Sequence, residues 1–143
     1  MKKGFTILEL LVVIMVITIL LGIALPRFKG MQDEGNIAKA KGELRTLQTA
    51  VESYYVHNGN VYPAALATLT AAGPNIVSVI PTDPFNSTGG AYGYVRAGTG
   101  NKFYVIFSGG VTATCTATIV GSTVNEAENG CIYVSNAGQD TTP

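Results

Sequence analysis

Residues 5–25 read FTILELLVVIMVITILLGIAL, with a single ionisable side chain, Glu9. At 1.5 Å per residue, a helix over this stretch is roughly 31 Å long, about the hydrocarbon thickness of a bilayer. A buried core helix is one alternative, but a remainder of about 118 residues rarely encloses so long an apolar helix. A cleaved secretory signal is another, because Lys2 and Lys3 supply a basic start. Against it, the run exceeds the usual apolar core of about 7–15 residues. Pro26, Arg27 and Phe28 follow in place of a small-residue cleavage site. The stretch reads as a retained single membrane span.

Moving outward, two lysines precede the span, and Arg27 and Lys29 follow it, so positive charge alone does not orient it. The lysines sit at the end of a short tail and the whole folded portion lies beyond the span. The expected topology is therefore N-terminus cytoplasmic and C-terminal part exported. The chain has 143 residues, of which 47% are hydrophobic and 13% charged. Nine basic and nine acidic residues balance, which argues against a sequence-independent grip on nucleic acid. One histidine, His57, and two cysteines leave few ligands for a zinc site. There is no G-x-x-x-x-G-K-[ST] loop, so the chain is not itself an ATPase of that kind. A Ser-His-acid triad would have to use His57, which sits beside a turn.

Glu9 lies in the first turns of the span. A charge near mid-bilayer costs about 2.5–3.5 kcal/mol on insertion scales, which makes intramembrane acids functional candidates. A shallow position favoured by the helix N-terminus is the plain alternative. Gly4-Phe5-Thr6-Ile7-Leu8-Glu9, behind a short basic start, resembles the class III signal of type IV pilins and their relatives. The resemblance implies a leader of residues 1–4, cleavage between Gly4 and Phe5 by a prepilin peptidase, and methylation of the new Phe5 amine. It also aligns Glu9 with the family's acid at the fifth mature position. An unpaired charge in a low-dielectric layer is costly and a paired one is not. Glu9 therefore reads as an assembly register that meets the Phe5 amine of a neighbouring copy.

Past the span, Ile37, Ala40, Leu44, Leu47, Val51 and Tyr54 recur every three or four residues, one apolar stripe of an amphipathic helix. Lys39, Lys41, Glu43, Arg45 and Glu52 fall mainly off it. One long helix over residues 5–56 is expected, some 75 Å if continuous. Gly22 and Pro26 mark a kink or local melting, since proline removes a backbone donor and clashes with the preceding turn. Gly59 is a natural left-handed stop. A short helix over residues 64–72 is expected next, closed by Gly73-Pro74, then turns at Thr82-Asp83-Pro84 and over residues 86–90. Strand-like runs cover residues 92–96, 102–107, 111–120 and 131–135. The fold class is α+β: a long N-terminal helix packed on a small antiparallel sheet, as the pilin resemblance also implies. The expected regions are 1–4 leader, 5–25 transmembrane helix and filament core, 26–57 amphipathic stalk, and 58–143 exported globular region.

Asn58-Gly59-Asn60-Val61-Tyr62-Pro63, Thr82-Asp83-Pro84-Phe85, Tyr92-Gly93-Tyr94 and Ile106-Phe107-Ser108 resemble the major pseudopilin of type II secretion systems. Such pseudopilins carry an aspartate-rich calcium loop near the C-terminus. After Gly109 this chain has only Glu126, Glu128 and Asp140 as acids, so calcium is poorly supported. In its place stand Cys115 and Cys131, in a segment expected to be exported, where disulfides persist. A disulfide there would constrain the unfolded chain by roughly 3 kcal/mol. A redox or metal pair would want CxxC spacing or a nearby histidine. One C-terminal disulfide is common in true type IV pilins, so the two branches stay open. Either implies a non-enzymatic subunit of a helical homo-oligomer. Its partners would be the peptidase, the membrane, and an inner-membrane platform with a cytoplasmic ATPase, and it would end in a periplasmic pseudopilus or a surface pilus. A monomeric membrane-anchored binding module is the rival from another class.

Overall fold

The computed structural model describes residues 4–71, 76–98, 100–111, 114–126 and 131–139, apart from the side chains of Pro26, Glu126 and Gln139. Helix α1, Ile7–His57, runs without interruption through Gly22 and Pro26. The N-terminal limit is set by Thr6, whose side-chain oxygen accepts the Glu9 N–H at 3.2 Å, an N-cap. The C-terminal limit follows from Gly59 at φ 66° and Asn60 at φ 60°. Their left-handed turn lets the Asn60 N–H reach the Tyr55 carbonyl at 3.0 Å and satisfy an end carbonyl.

The chain divides into two compact units, Met1–Gly35 and Asn36–Pro143. The first is the apolar part of α1, with exposed side chains from Phe5 to Leu25. The second contains the amphipathic part of α1 and all the strands. Here Ala40, Leu44, Leu47, Ala50 and Val51 are buried, which is the stripe that the sequence spacing predicts with Ala50 added. After α1 the chain passes Tyr62 and Leu66 into α2, Thr68–Ala71. This helix is shorter than the expected 64–72, because the residues before it form turns, the first of them beside Pro63. Gly73-Pro74, its expected stop, lies outside the described residues.

The expected small antiparallel sheet is present, and a second three-stranded sheet accompanies it. The first has the order β1-β2-β5, from β1 (Gly93–Ala97), β2 (Phe103–Ser108) and β5 (Ile132–Ser135), all antiparallel. The second has the order β3-β4-β6, from β3 (Ala117–Val120), β4 (Thr123–Glu126) and β6 (Gly138–Gln139). β3 and β4 form a hairpin over Gly121 (φ 65°) and Ser122, and β6 joins β4 in parallel. The run expected over 111–120 therefore supplies a strand only from Ala117, while β4 and β6 are additional. The first sheet is covered on both faces. Tyr104, Ile106, Tyr94 and Val134 pack with the α1 stripe, and Val105, Val95, Phe107 and Tyr133 pack with Ala117, Val124 and Ile119. Alternation along β2 sends successive residues to opposite cores. Gly93 faces Phe107 across the β1–β2 pair, and a Cβ there would overlap the Phe107 ring.

Candidate functional site: an exposed apolar helix with a capped acid

Thr6-Ile7-Leu8-Glu9 has the spacing of a capping box, a hydroxyl residue followed three positions later by Glu. The structure uses half of it, with the Glu9 N–H donating to Thr6 Oγ1 and the Leu10 N–H to the Thr6 carbonyl at 3.3 Å. Thr6 is the residue that sequence reasoning missed, although the capping signal was legible. The cap places Glu9 in the first turn, where the positive end of the helix dipole favours its charge. Gly4 and Phe5 precede α1 and Glu9 lies in its first turn, all three exposed. Phe5 is 83% exposed, and nothing lies within 4 Å of where a Gly4 Cβ would be, so this junction is open to a protease. Lys2 and Lys3 lie outside the described residues.

From here α1 presents an apolar surface on every side. An 18-residue window reaches a mean hydropathy of 3.0, and Leu8, Leu10, Leu11, Ile14, Met15, Leu20 and Leu21 are all exposed. Thr18 is the polar exception, and its hydroxyl donates back to the Ile14 carbonyl at 2.8 Å, so it presents no unmet donor. A helix apolar all round belongs in lipid or among other apolar helices. Gly22 has open space around its Cα.

The second unit holds its sheet on the helix through acids whose partners are tyrosines. Glu52 accepts the Tyr104 hydroxyl at 2.7 Å and the Tyr62 hydroxyl at 3.1 Å. Asn136 donates to the Tyr62 oxygen at 3.0 Å and accepts the Tyr104 N–H at 2.8 Å. Glu43 accepts the Tyr92 hydroxyl at 2.6 Å. Burial first, then the Glu52 charge, pushes the Tyr62 hydroxyl up to about 12. Burial raises Tyr104 and Tyr92 too, aided by hydrogen bonds to Glu52 and Glu43, and raises Tyr94. These hydroxyls stay protonated and donate.

Asp83, nearly fully buried, is a second missed residue. Its oxygens accept the Ser108 hydroxyl at 2.7 Å, the Gly109 N–H at 2.7 Å and the Phe85 N–H at 3.0 Å, tying the turn before β1 to the end of β2. With both oxygens engaged, Asp83 is not a ready metal ligand, and among the described residues no three His, Cys, Asp or Glu side chains converge. The acids that bear on the calcium expectation, Glu128, Asp140 and the Glu126 side chain, lie outside the described residues. Cys115 and Cys131 are bonded to each other, their Cα atoms 5.5 Å apart. His57 donates from Nδ1 to the Ser53 carbonyl at 2.8 Å, a helix-end contact and not part of a triad.

Comparison with known proteins agrees with this geometry. Residues 1–25 match the prokaryotic N-terminal methylation motif. The chain is 43% identical over 58 residues to the fimbrial protein EcpB of Eikenella corrodens, covering 41% of this chain and 36% of that protein. It is 26% identical over 116 residues to the type II secretion system core protein G of Pseudomonas aeruginosa, covering 71% of this chain and 79% of the relative. The core protein G of Klebsiella michiganensis is 29% identical over 122 residues, covering 76% of this chain and 83% of the relative. No solved structure gives a significant match. The methylation motif over residues 1–25, the apolar helix and the α+β body are features that the chain shares with pilin-like proteins. The relatives it resembles over most of its length are thus type II secretion core proteins, and over a shorter stretch it resembles fimbrial proteins as well.

Proposed function

We propose that the chain is the major pseudopilin of a type II secretion system, a structural and non-enzymatic subunit. Supporting this is the uninterrupted apolar surface of α1 behind an open Gly4–Phe5 junction, a surface that only lipid or neighbouring helices can cover. A prepilin peptidase would cleave after Gly4 and methylate the Phe5 amine. An inner-membrane platform, driven by its cytoplasmic ATPase, would then lift the chain from lipid into a filament. Before that step the N-terminus is cytoplasmic and the strands are periplasmic. In the filament, the Phe5 amine of one copy neutralises Glu9 of a neighbour, so that neither charge is left bare in an apolar bundle. Head-to-tail contacts whose rotation does not close give an open helix. The likeness to core protein G covers 71–76% of this chain, whereas that to EcpB covers 41%, which favours the pseudopilin branch.

The Cys115–Cys131 disulfide favours a second reading, the major pilin of a surface type IV pilus. Peptide mass spectrometry of the protein from its native membrane tests the class. A chain starting at Phe5 with one added methyl supports it, and a chain starting at Met1 despite an active peptidase overturns it. Gly4→Leu should leave the precursor uncut. Deleting the gene then separates the branches: loss of protein secretion marks a pseudopilin, and loss of sheared surface filaments marks a pilin.

A further inference from the structure

Most acids in the described residues beyond the membrane span already have partners. Glu43 holds Tyr92 and lies 3.8 Å from Lys39; Glu52 holds Tyr104 and Tyr62; Asp83 holds Ser108, Gly109 and Phe85. Among described side chains beyond the span, Asp33 and Glu34 are the acids left with neither a hydrogen bond nor an ion pair. Lys41 and Arg45 are exposed cations in the same condition, one turn apart on α1. They rim a groove of about 570 Å³ between α1 and the edge strand β5, walled by Ile37, Leu44, Ile132 and Val134. Just before the two acids stand Phe28 and Met31, 66% and 68% exposed. A cation-rimmed apolar groove and an acid-flanked apolar knob are complementary in both charge and polarity.

We propose that the groove between α1 and β5 receives residues 28–34 of a second copy of this chain, with Met31 against the apolar walls and Asp33 and Glu34 paired to Lys41 and Arg45. This rests on the reading of the chain as a filament subunit, in which stalk helices run parallel. The acids precede the cations by roughly ten positions. Parallel neighbours offset axially by about 10–18 Å therefore bring them level at 1.5 Å per residue. The contact cannot close within one pair, because each copy's groove takes the next copy's knob. It is heterologous and propagates.

The test uses the full chain expressed with its own assembly machinery, reading sheared-filament yield and photocrosslinking. Lys41→Glu with Arg45→Glu should cut filament yield about ten-fold, and so should Asp33→Lys with Glu34→Lys. The fourfold swap, carrying both pairs, should recover most of the yield. A photocrosslinking residue in place of Met31 should join peptides containing Ile37–Arg45 or Ile132–Val134 of another copy. Normal yield from either charge-reversed pair, or a swap no better than its parents, would overturn the contact. So would Met31 crosslinks confined to other peptides or other proteins. The crosslink arm decides the matter if a charge variant fails to fold. A wild-type chain that is cleaved and methylated but never forms filaments would refute the subunit reading itself, and this contact with it. Wild-type filaments with intact variants that also assemble would refute this contact alone.

Discussion

Removing the Asp83 carboxylate should be among the most damaging single changes in the strand-bearing unit. Three donors converge on it, the Ser108 hydroxyl, the Gly109 N–H and the Phe85 N–H, and both Asp83 and Ser108 are buried. A hydrogen bond to a charged group contributes about 1.5–3 kcal/mol, and a buried donor left without a partner costs about 1–3 kcal/mol. The three are not additive, and the Phe85 and Gly109 bonds are only part-buried, so Asp83→Ala should cost about 3–5 kcal/mol. Set against a total stability of about 5–15 kcal/mol, that is a large fraction. Asp83→Asn keeps the shape but turns an NH2 toward one of the donors, and about 2 kcal/mol should be lost. Ser108→Ala removes one partner only. In a double-mutant cycle, Asp83 and Ser108 should couple by about 1–2 kcal/mol. The assay is urea unfolding of the detergent-solubilised full chain, followed by near-UV tyrosine circular dichroism. Loss of less than about 1 kcal/mol in Asp83→Ala, or a coupling of zero, would refute the view that this carboxylate fastens the turn to β2.

Three further outcomes are expected. Glu9→Val should insert and fold, since it removes a charge from an apolar helix. It should nevertheless assemble poorly, and abundant filaments made of the mutant alone would contradict the register role. The tyrosine hydroxyls at positions 62, 92, 94 and 104 are raised in the folded chain, so their contribution is complete below pH 10. It is lost as pH climbs through about 12, where Tyr62 ionises. Stability measured by urea titration should fall steeply over that range, with 295 nm tyrosinate absorbance rising together with unfolding and not ahead of it. Reducing Cys115–Cys131 should free the segment between them, worth roughly 3 kcal/mol of unfolded-state constraint. Proteolysis there should quicken, and equal digestion with and without reductant would tell against it.

What the sequence disclosed was whatever depends on near neighbours. The apolar run and the Ala40-Leu44-Leu47-Val51 stripe are each local, and each has its expected place in α1. The Thr6 cap was equally local and equally readable. What stayed hidden depends on distant partners. Glu43 and Glu52 fall off the stripe and look like solvated charges, until a sheet brings Tyr92 and Tyr104 from 49 and 52 residues away. Asp83 reads as a turn former because Ser108, its partner, is 25 residues on. β4 contains Thr, Asn and Glu with one apolar residue, Val124, and only the hairpin at Gly121 makes it a strand. The two-residue β6 has no periodicity to read.

β2 gives this chain a means of detecting its own errors. Tyr104 and Ile106 serve one core and Val105 the other, so a slip of one residue would put tyrosine hydroxyls where Ala117 and Val124 sit. It would also move Ser108 out of reach of Asp83. A misregistered copy therefore loses both cores and the buried carboxylate contact together, and no half-correct version survives to resemble the native one. In a filament subunit, the function proposed above, such all-or-none failure would expose faulty copies to proteases before they could cap or kink a growing filament.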